Sequence, residues 1–288
     1  MAYEHITDIR EDPALRESFF DLARQVFDLD FAPWYEGGFW TDRYRPVVLA
    51  DHTQVVANVS VNSMEFEVDG ARRRYAQLGT VMVHPAYRGQ GLARRLLSQV
   101  TADLRGTCDA VYLFANQQVL NFYPKFGFSE RQQYGWELPV HPVPGDMRRL
   151  DMSSTAHRQI LRDAYRQGAP FSAFPMVENE GLLFFYCAGP LKDCVYHSPS
   201  LGVVCVAEQE QDALICYDVF GAARGSFHEI LAALCRPGTV KVQLGFTPKE
   251  PAGQPFVLPQ QDDQLFLLEG SEDLFLGEKR MFPLLAHA

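Results

Sequence analysis

Between residues 81 and 93 the chain reads Val81-Met-Val-His-Pro-Ala-Tyr-Arg-Gly-Gln-Gly-Leu-Ala93. The apolar start has the look of a β-strand, Pro85 breaks it, and a glycine-bearing loop follows. Leu92, Leu96, Leu97, Val100 and Leu104 then recur at helical spacing, with Arg94, Arg95, Gln99 and Asp103 on other faces. A glycine loop that opens a helix presents unpaired backbone N–H groups at the positive end of the helix dipole, which suits an anionic phosphate. Gly89 and Gly91 would let the backbone approach such a ligand closely, and Arg88 adds a fixed positive charge. No Gly-Lys-Ser/Thr and no Gly-x-Gly-x-x-Gly is present here, which excludes the two best-known nucleotide loops.

A second segment reads Val111-Tyr-Leu-Phe-Ala-Asn-Gln-Gln-Val-Leu-Asn-Phe-Tyr-Pro-Lys-Phe-Gly-Phe128: an apolar strand from Ala110 to Ala115, Asn116, a short helix, Tyr123, and a closing Phe126-Gly127-Phe128. Together with Arg88-x-x-Gly91-x-Ala93, this order resembles the GNAT superfamily of acyl-CoA-dependent N-acyltransferases. The resemblance implies acetyl-CoA as cosubstrate. The backbones of Val81, Met82 and Val83 would meet the pantetheine arm, and Arg88, Gly89, Gln90, Gly91, Leu92 and Ala93 would cradle the pyrophosphate. Asn116 would hydrogen-bond the pantetheine or an ordered water, and Asn121 would touch CoA. Tyr123 would be the general acid that protonates the departing thiolate; without that role it is a packing residue between Phe122 and Pro124. Transfer would be direct, in a ternary complex, since no Cys or Ser with a His partner stands near either motif.

The proton acceptor is where the chain departs from the family. Some members carry a Glu at the position of Gln77, and glutamine cannot accept a proton. Glu65 and Glu67 read as solvated residues of the adjoining strand. A water chain or the carboxylate of Ala288 could serve, and the base stays unassigned. The acceptor itself is expected to meet Phe31-Ala-Pro-Trp-Tyr-Glu-Gly-Gly-Phe-Trp-Thr-Asp-Arg-Tyr44, whose aromatic rings with Glu36 and Asp42 would suit a small-molecule amine of apolar bulk. A packed irregular loop is the plainer account of the same residues. A non-catalytic acyl-CoA-binding module and a protein or peptide N-acetyltransferase are the alternative functions.

These residues need a scaffold, and 288 residues can supply two domains. With 47% apolar and 22% charged residues, the composition is that of a folded protein. The expected fold is α/β (α+β): a GNAT-like mixed, mostly antiparallel sheet flanked by helices over residues 1–140. A linker follows at 141–149, and a second, degenerate GNAT-like domain at 150–288. The second half reads as a restart of the element order: Met147–Met152, a helix at Thr155–Arg166, strands at 203–207 and 213–219, a helix at 227–234, and strands at 239–246 and 264–268. It lacks both motifs, reading Gly221-Ala-Ala-Arg-Gly-Ser226 before its helix. A sterol-carrier-like lid is the other reading of this half. Six cysteines are scattered without metal-ligand spacing, so no metal is expected. A formal charge of −10 without a basic stripe argues against nucleic acid. The chain shows neither a long apolar run nor a signal peptide, so no membrane partner and a cytoplasmic location are expected. The acceptor's identity, the acyl length and the oligomeric state are not legible.

Overall fold

The computed structural model describes residues 3–259 and 264–288. The first half runs β1 (Glu4–Ile6), α1 (Pro13–Phe27), α2 (Ala32–Glu36), β2 (Tyr44–Asp51), β3 (Gln54–Val68), β4 (Ala71–Val83), α3 (Leu92–Leu104), β5 (Ala110–Ala115), β6 (Phe128–Arg131) and β7 (Tyr134–Pro139). The second half runs β8 (Arg148–Arg149), α4 (Thr155–Gln167), β9 (Met176–Val177), α5 (Glu180–Cys187), β10 (Val195–Ser198), β11 (Val203–Glu210), β12 (Ala213–Gly221), α6 (Phe227–Leu234), β13 (Lys241–Leu244), β14 (Gln254–Val257) and β15 (Gln264–Leu268).

Local chemistry accounts for most of these boundaries. Asp12 caps α1 by accepting from Ala14 N and Leu15 N, Pro13 opens the helix, and Asp28 closes it in the left-handed region. Asp69 and Gly70 both have positive φ, 50° and 77°, as a tight hairpin turn between β3 and β4 requires. Leu92, Leu96, Leu97 and Val100 bury one stripe of α3 against Val61, Leu78 and Leu113 of the sheet.

Among the described residues the strands form two sheets. One has the order β1-β2-β3-β4-β5-β15-β6, with β9 added beside β3; the other has the order β14-β7-β13-β12-β11-β10-β8. Both are mixed and mostly antiparallel, with one parallel neighbour pair each, β4 with β5 and β12 with β13. A helix joins each parallel pair, α3 in the first sheet and α6 in the second. The expected fold class is the one observed.

Read from its β8 edge, the second sheet repeats the order of the first, strand for strand, but the two halves have exchanged one strand. β7, Tyr134–Pro139, falls within the expected first domain, residues 1–140. It pairs, however, in the second sheet, Leu138 opposite Val242 and Trp136 opposite Pro255. Gln264–Leu268, expected in the second half, lies in the first sheet between β5 and β6, with Phe266 opposite Leu113 and Glu130. A division at residue 140 therefore does not follow the sheets. An apolar strand's own pattern fixes its faces but not the edge it joins, which is why the sequence concealed the exchange. Within Met147–Met152 only Arg148–Arg149 is strand, paired with β10, so an edge strand of the second sheet lies inside the expected linker.

Candidate active site

The site begins with a defect in β4. Asn58 faces Met82 and Ser60 faces Gly79, so β4 takes three steps where β3 takes two. The extra residue bulges, and Thr80 is held at φ +42°, uncommon for a β-branched side chain. A buried polar cluster fixes it: Asn58 Nδ2 donates to Thr80 O (2.8 Å), Thr80 Oγ1 to Ser60 Oγ (2.6 Å), and Ser60 Oγ to Tyr44 OH (2.9 Å). Beyond the register pair Leu78–Leu113, β4 and β5 no longer pair, although β4 continues to Val83 and β5 to Ala115. The gap opens into a cavity of about 970 Å³ lined by both halves of the chain.

At one end of this gap lies the glycine loop. Gly89 and Gly91 stand at φ +80° and +75°, where other residues are strained, and nothing occupies the space above their α-carbons. Gly91 caps α3 without a side chain, leaving the first-turn amides to an outside acceptor. Tyr87 ties the loop down, its hydroxyl donating to Asp51 Oδ2 and Gln54 Oε1 at 3.2 Å each, and Tyr3 OH donates to Gln90 Oε1 at 2.8 Å. Arg88 and Ala93 line the cavity with Val81, Met82 and Val83, whereas the side chain of Leu92 is packed in the core. Gln90 is exposed beside the loop.

Tyr123 lies at the cavity wall with 6% of its surface exposed. Phe128 and Phe266 hold its ring at centroid distances of 6.2 and 5.8 Å, and burial pushes its hydroxyl up to about 12. Phe266 belongs to the exchanged strand β15, so the second half of the sequence positions Tyr123. The expected short helix before it is two 3₁₀ turns, Gln117–Val119 and Tyr123–Phe126. Asn116 lines the cavity, and its Oδ1 already accepts from Gln118 N at 3.1 Å, leaving the amide NH₂ for other partners. Asn121 is exposed and is not among the residues lining the cavity.

The C-terminal segment reaches the gap from the opposite face of the sheet. A Cβ on Gly79 would lie 2.5 Å from the main-chain oxygen of Ala288, so only glycine admits this approach. Gln77 Nε2 donates to that oxygen at 2.8 Å while Gln77 Oε1 accepts from Tyr112 OH at 3.3 Å. A glutamate at position 77 could not donate, which explains the glutamine found there. Tyr186 OH donates to His287 O (2.7 Å), and the His287 ring stacks on Phe114 at 3.8 Å. Burial pushes the His287 imidazole down to about 4. Glu65 pairs with Arg43 at 3.1 Å and, like Glu67, does not line this cavity.

The aromatic stretch 31–44 is largely core. Trp34 and Trp40 stack in parallel at 5.9 Å and are packed with Phe19, Phe20 and Phe31; only Phe31, Trp34, Thr41, Arg43 and Tyr44 of this stretch reach the cavity. Glu36 and Asp42, expected on the amine side, are exposed and line none of it. The wall that the sequence did not reveal is α5, which supplies Leu182, Phe185 and Tyr186. The run Phe184-Phe185-Tyr186 was its one visible trace.

The corresponding place in the second sheet is closed. Pairing of β12 with β13 stops at Cys216–Leu244, and Leu284 N donates to Gly245 O (2.7 Å) beside that opening. At the start of α6 the Glu229 carboxylate accepts from Ser226 N at 2.7 Å, so the helix's own acid occupies the anion position.

Residues 12–131 match the family model described as an acetyltransferase (GNAT) domain. An uncharacterized N-acetyltransferase, ycf52, from Gracilaria tenuistipitata var. liui is 41% identical over 54 residues, 18% of this chain and 30% of that relative. The chain therefore spans less than a third of the curated relative that it matches. Among solved structures, a probable N-acyltransferase of unknown function from Enterococcus faecalis V583 aligns over 93% of this chain and 72% of its own, with a TM-score of 0.59 and 14% identity. A GCN5-related N-acetyltransferase from Kribbella flavida aligns over 92% and 71% (TM-score 0.56, 17% identity), and Eis1 from Mycobacterium abscessus over 91% and 73% (TM-score 0.56, 15% identity). At these identities the structures speak for the fold, and they share it across both halves. The bulged β4, the gap beside β5 and the glycine loop opening α3 all fall within residues 12–131, the part of the chain that matches the acetyltransferase (GNAT) model.

Proposed function

We propose that the protein transfers the acetyl group of acetyl-CoA directly to the primary amine of a small molecule. The observation that carries this reading is that one cavity is lined by the unpaired end of β4, by Arg88 and Ala93 on either side of the positive-φ glycines, and by Tyr123, whose side chain is buried. The amides of residues 89–93 would hold the pyrophosphate, and the backbone of Val81–Val83 the pantetheine arm. The amine nitrogen attacks the thioester carbonyl carbon, and the tetrahedral intermediate collapses with loss of the CoA thiolate. The Tyr123 hydroxyl gives that sulfur its proton. The proton released by the amine passes to water. The second half, with its helix start occupied by Glu229 and its strand gap closed by Leu284, binds no CoA in this reading.

The decisive experiment is calorimetric titration of acetyl-CoA into the full chain and into Gly91→Glu, coupled to thiol release with a panel of amines. The variant puts a bulky anion where phosphate belongs. Binding should fall by at least about tenfold, which corresponds to about 1.4 kcal/mol. Equal affinity for the two proteins would show the site to be misplaced.

A further inference from the structure

The acceptor end of the cavity is walled jointly by Phe31, Trp34 and Tyr44 of the first half and by Leu182, Phe185 and Tyr186 of α5. The joint is built tightly. Trp34 Nε1 donates to Gly181 O at 2.7 Å, and a Cβ on Gly181 would lie 2.5 Å from Phe39 O. Phe185 stands edge-on to Trp34 at 5.8 Å and lies 6.0 Å from Phe31. The opening between the halves is therefore set by aromatic packing.

Its charge is as telling as its shape. Among the described residues lining the cavity there is no Asp or Glu; the charged side chains are Arg43 and Arg88. Arg43 is matched by Glu65 at 3.1 Å and Glu178 at 3.7 Å, neither of which lines the cavity. The buried polar side chains at this end are neutral amides, Asn62, Gln77 and Asn179, exposed by 4%, 2% and 4%. Asn62 Nδ2 has no hydrogen-bond partner among the described residues. One face of Trp34 is covered by Trp40, which limits its use as a cation-binding plane.

The net charge of −10 would draw polycations toward the molecule, but that field is screened within about 8 Å at physiological salt. A second ammonium group carried into the cavity would lose its water without gaining an Asp or Glu side chain among the described lining residues. A molecule with one amine avoids this, since it must shed its proton to react in any case. Resting on the acetyl-transfer reading above, we infer that the acceptor is a small primary amine with an apolar or aromatic body and no second cationic group. Phe185 is its specificity-determining contact.

The test compares kcat/KM of the full chain at saturating acetyl-CoA for 2-phenylethylamine and tryptamine against spermidine and kanamycin. The arylalkylamines should exceed both polycations by about tenfold or more. Phe185→Ala should raise KM for 2-phenylethylamine by about tenfold with little change in kcat or in calorimetric affinity for acetyl-CoA. Faster turnover of spermidine or kanamycin overturns the inference, as does failure to turn over any arylalkylamine when acetyl-CoA binds. An unchanged KM in Phe185→Ala removes that residue's role. If the parent chain does not bind acetyl-CoA, the acetyl-transfer reading fails, and this inference goes with it.

Discussion

Tyr123 is protonated throughout the physiological range because burial favours the neutral phenol, pushed up to about 12. It can act as a donor and not as a base, and its loss by deprotonation belongs to strongly alkaline pH. Tyr123→Phe keeps the ring packed on Phe266 and Phe128 but removes the proton. We expect kcat to fall by about 10²–10⁴-fold in stopped thiol-release assays while acetyl-CoA affinity holds; an undiminished kcat refutes the assignment. A different carboxyl governs stability. Asp218 on β12 is 3% exposed, and burial pushes it up to about 7, opposed by a 2.8 Å bond from Val219 N. Its folded value lies above the unfolded one of about 3.9. Stability is therefore fully present below pH 4 and is lost as pH rises toward 7, at roughly 1.4 kcal/mol per unit within that window. Asp218→Asn should cancel this loss. Urea midpoints of parent and variant should diverge from pH 4.5 to pH 8, with the variant the more stable at pH 8; parallel midpoints would disprove it.

At the scale of elements, the exchanged strands dominate. β15 pairs with β5 on one side and β6 on the other, and its Phe266 and Leu268 are buried in the core that also holds Tyr123 and Leu96. A fragment of residues 1–145 keeps the glycine loop, Asn116 and Tyr123 but leaves β5 and β6 without the strand between them. Unpaired edges beside an opened core favour aggregation. We expect the fragment to be insoluble or unable to turn over, and co-expression of residues 146–288 to restore both properties. A soluble fragment 1–145 with full kcat would show that β15 is dispensable.

For the molecule as a whole, the two halves are stitched together by β7, by β15, by β9 beside β3 and by the C-terminal segment. That segment passes from the second sheet, where Leu284 N meets Gly245 O, to the first, where Gln77 meets Ala288. Extra residues after Ala288 would have to run into the cavity or pull the segment out. A hexahistidine extension there should lower kcat/KM by at least about tenfold, consistent with a shift of about 1.4 kcal/mol, while the same tag before Met1 should not. Proteolytic removal of the extension should restore the rate. Equal kinetics for both tagged forms would show that the Ala288 end has no part in the site.

What the sequence determined by itself was local. Gly89 and Gly91 must be glycine because of their φ angles, α3 must bury its leucines, and Asp69–Gly70 must turn; each follows from residues a few positions apart. The family resemblance then placed Tyr123 near that loop, and Tyr123 lines one cavity with Asn116 and with Arg88 and Ala93, which flank the two glycines. The tertiary structure alone decided which sheet β7 and β15 join, because period-two patterning fixes a strand's faces and is silent about its neighbours. It alone brought α5 against Trp34 and Ala288 against Gln77, contacts spanning 147 and 211 positions. It also turned most of the aromatic stretch 31–44 into core and left Glu36 and Asp42 in solvent, since burial depends on what packs opposite, and the opposing helix lies far along the chain.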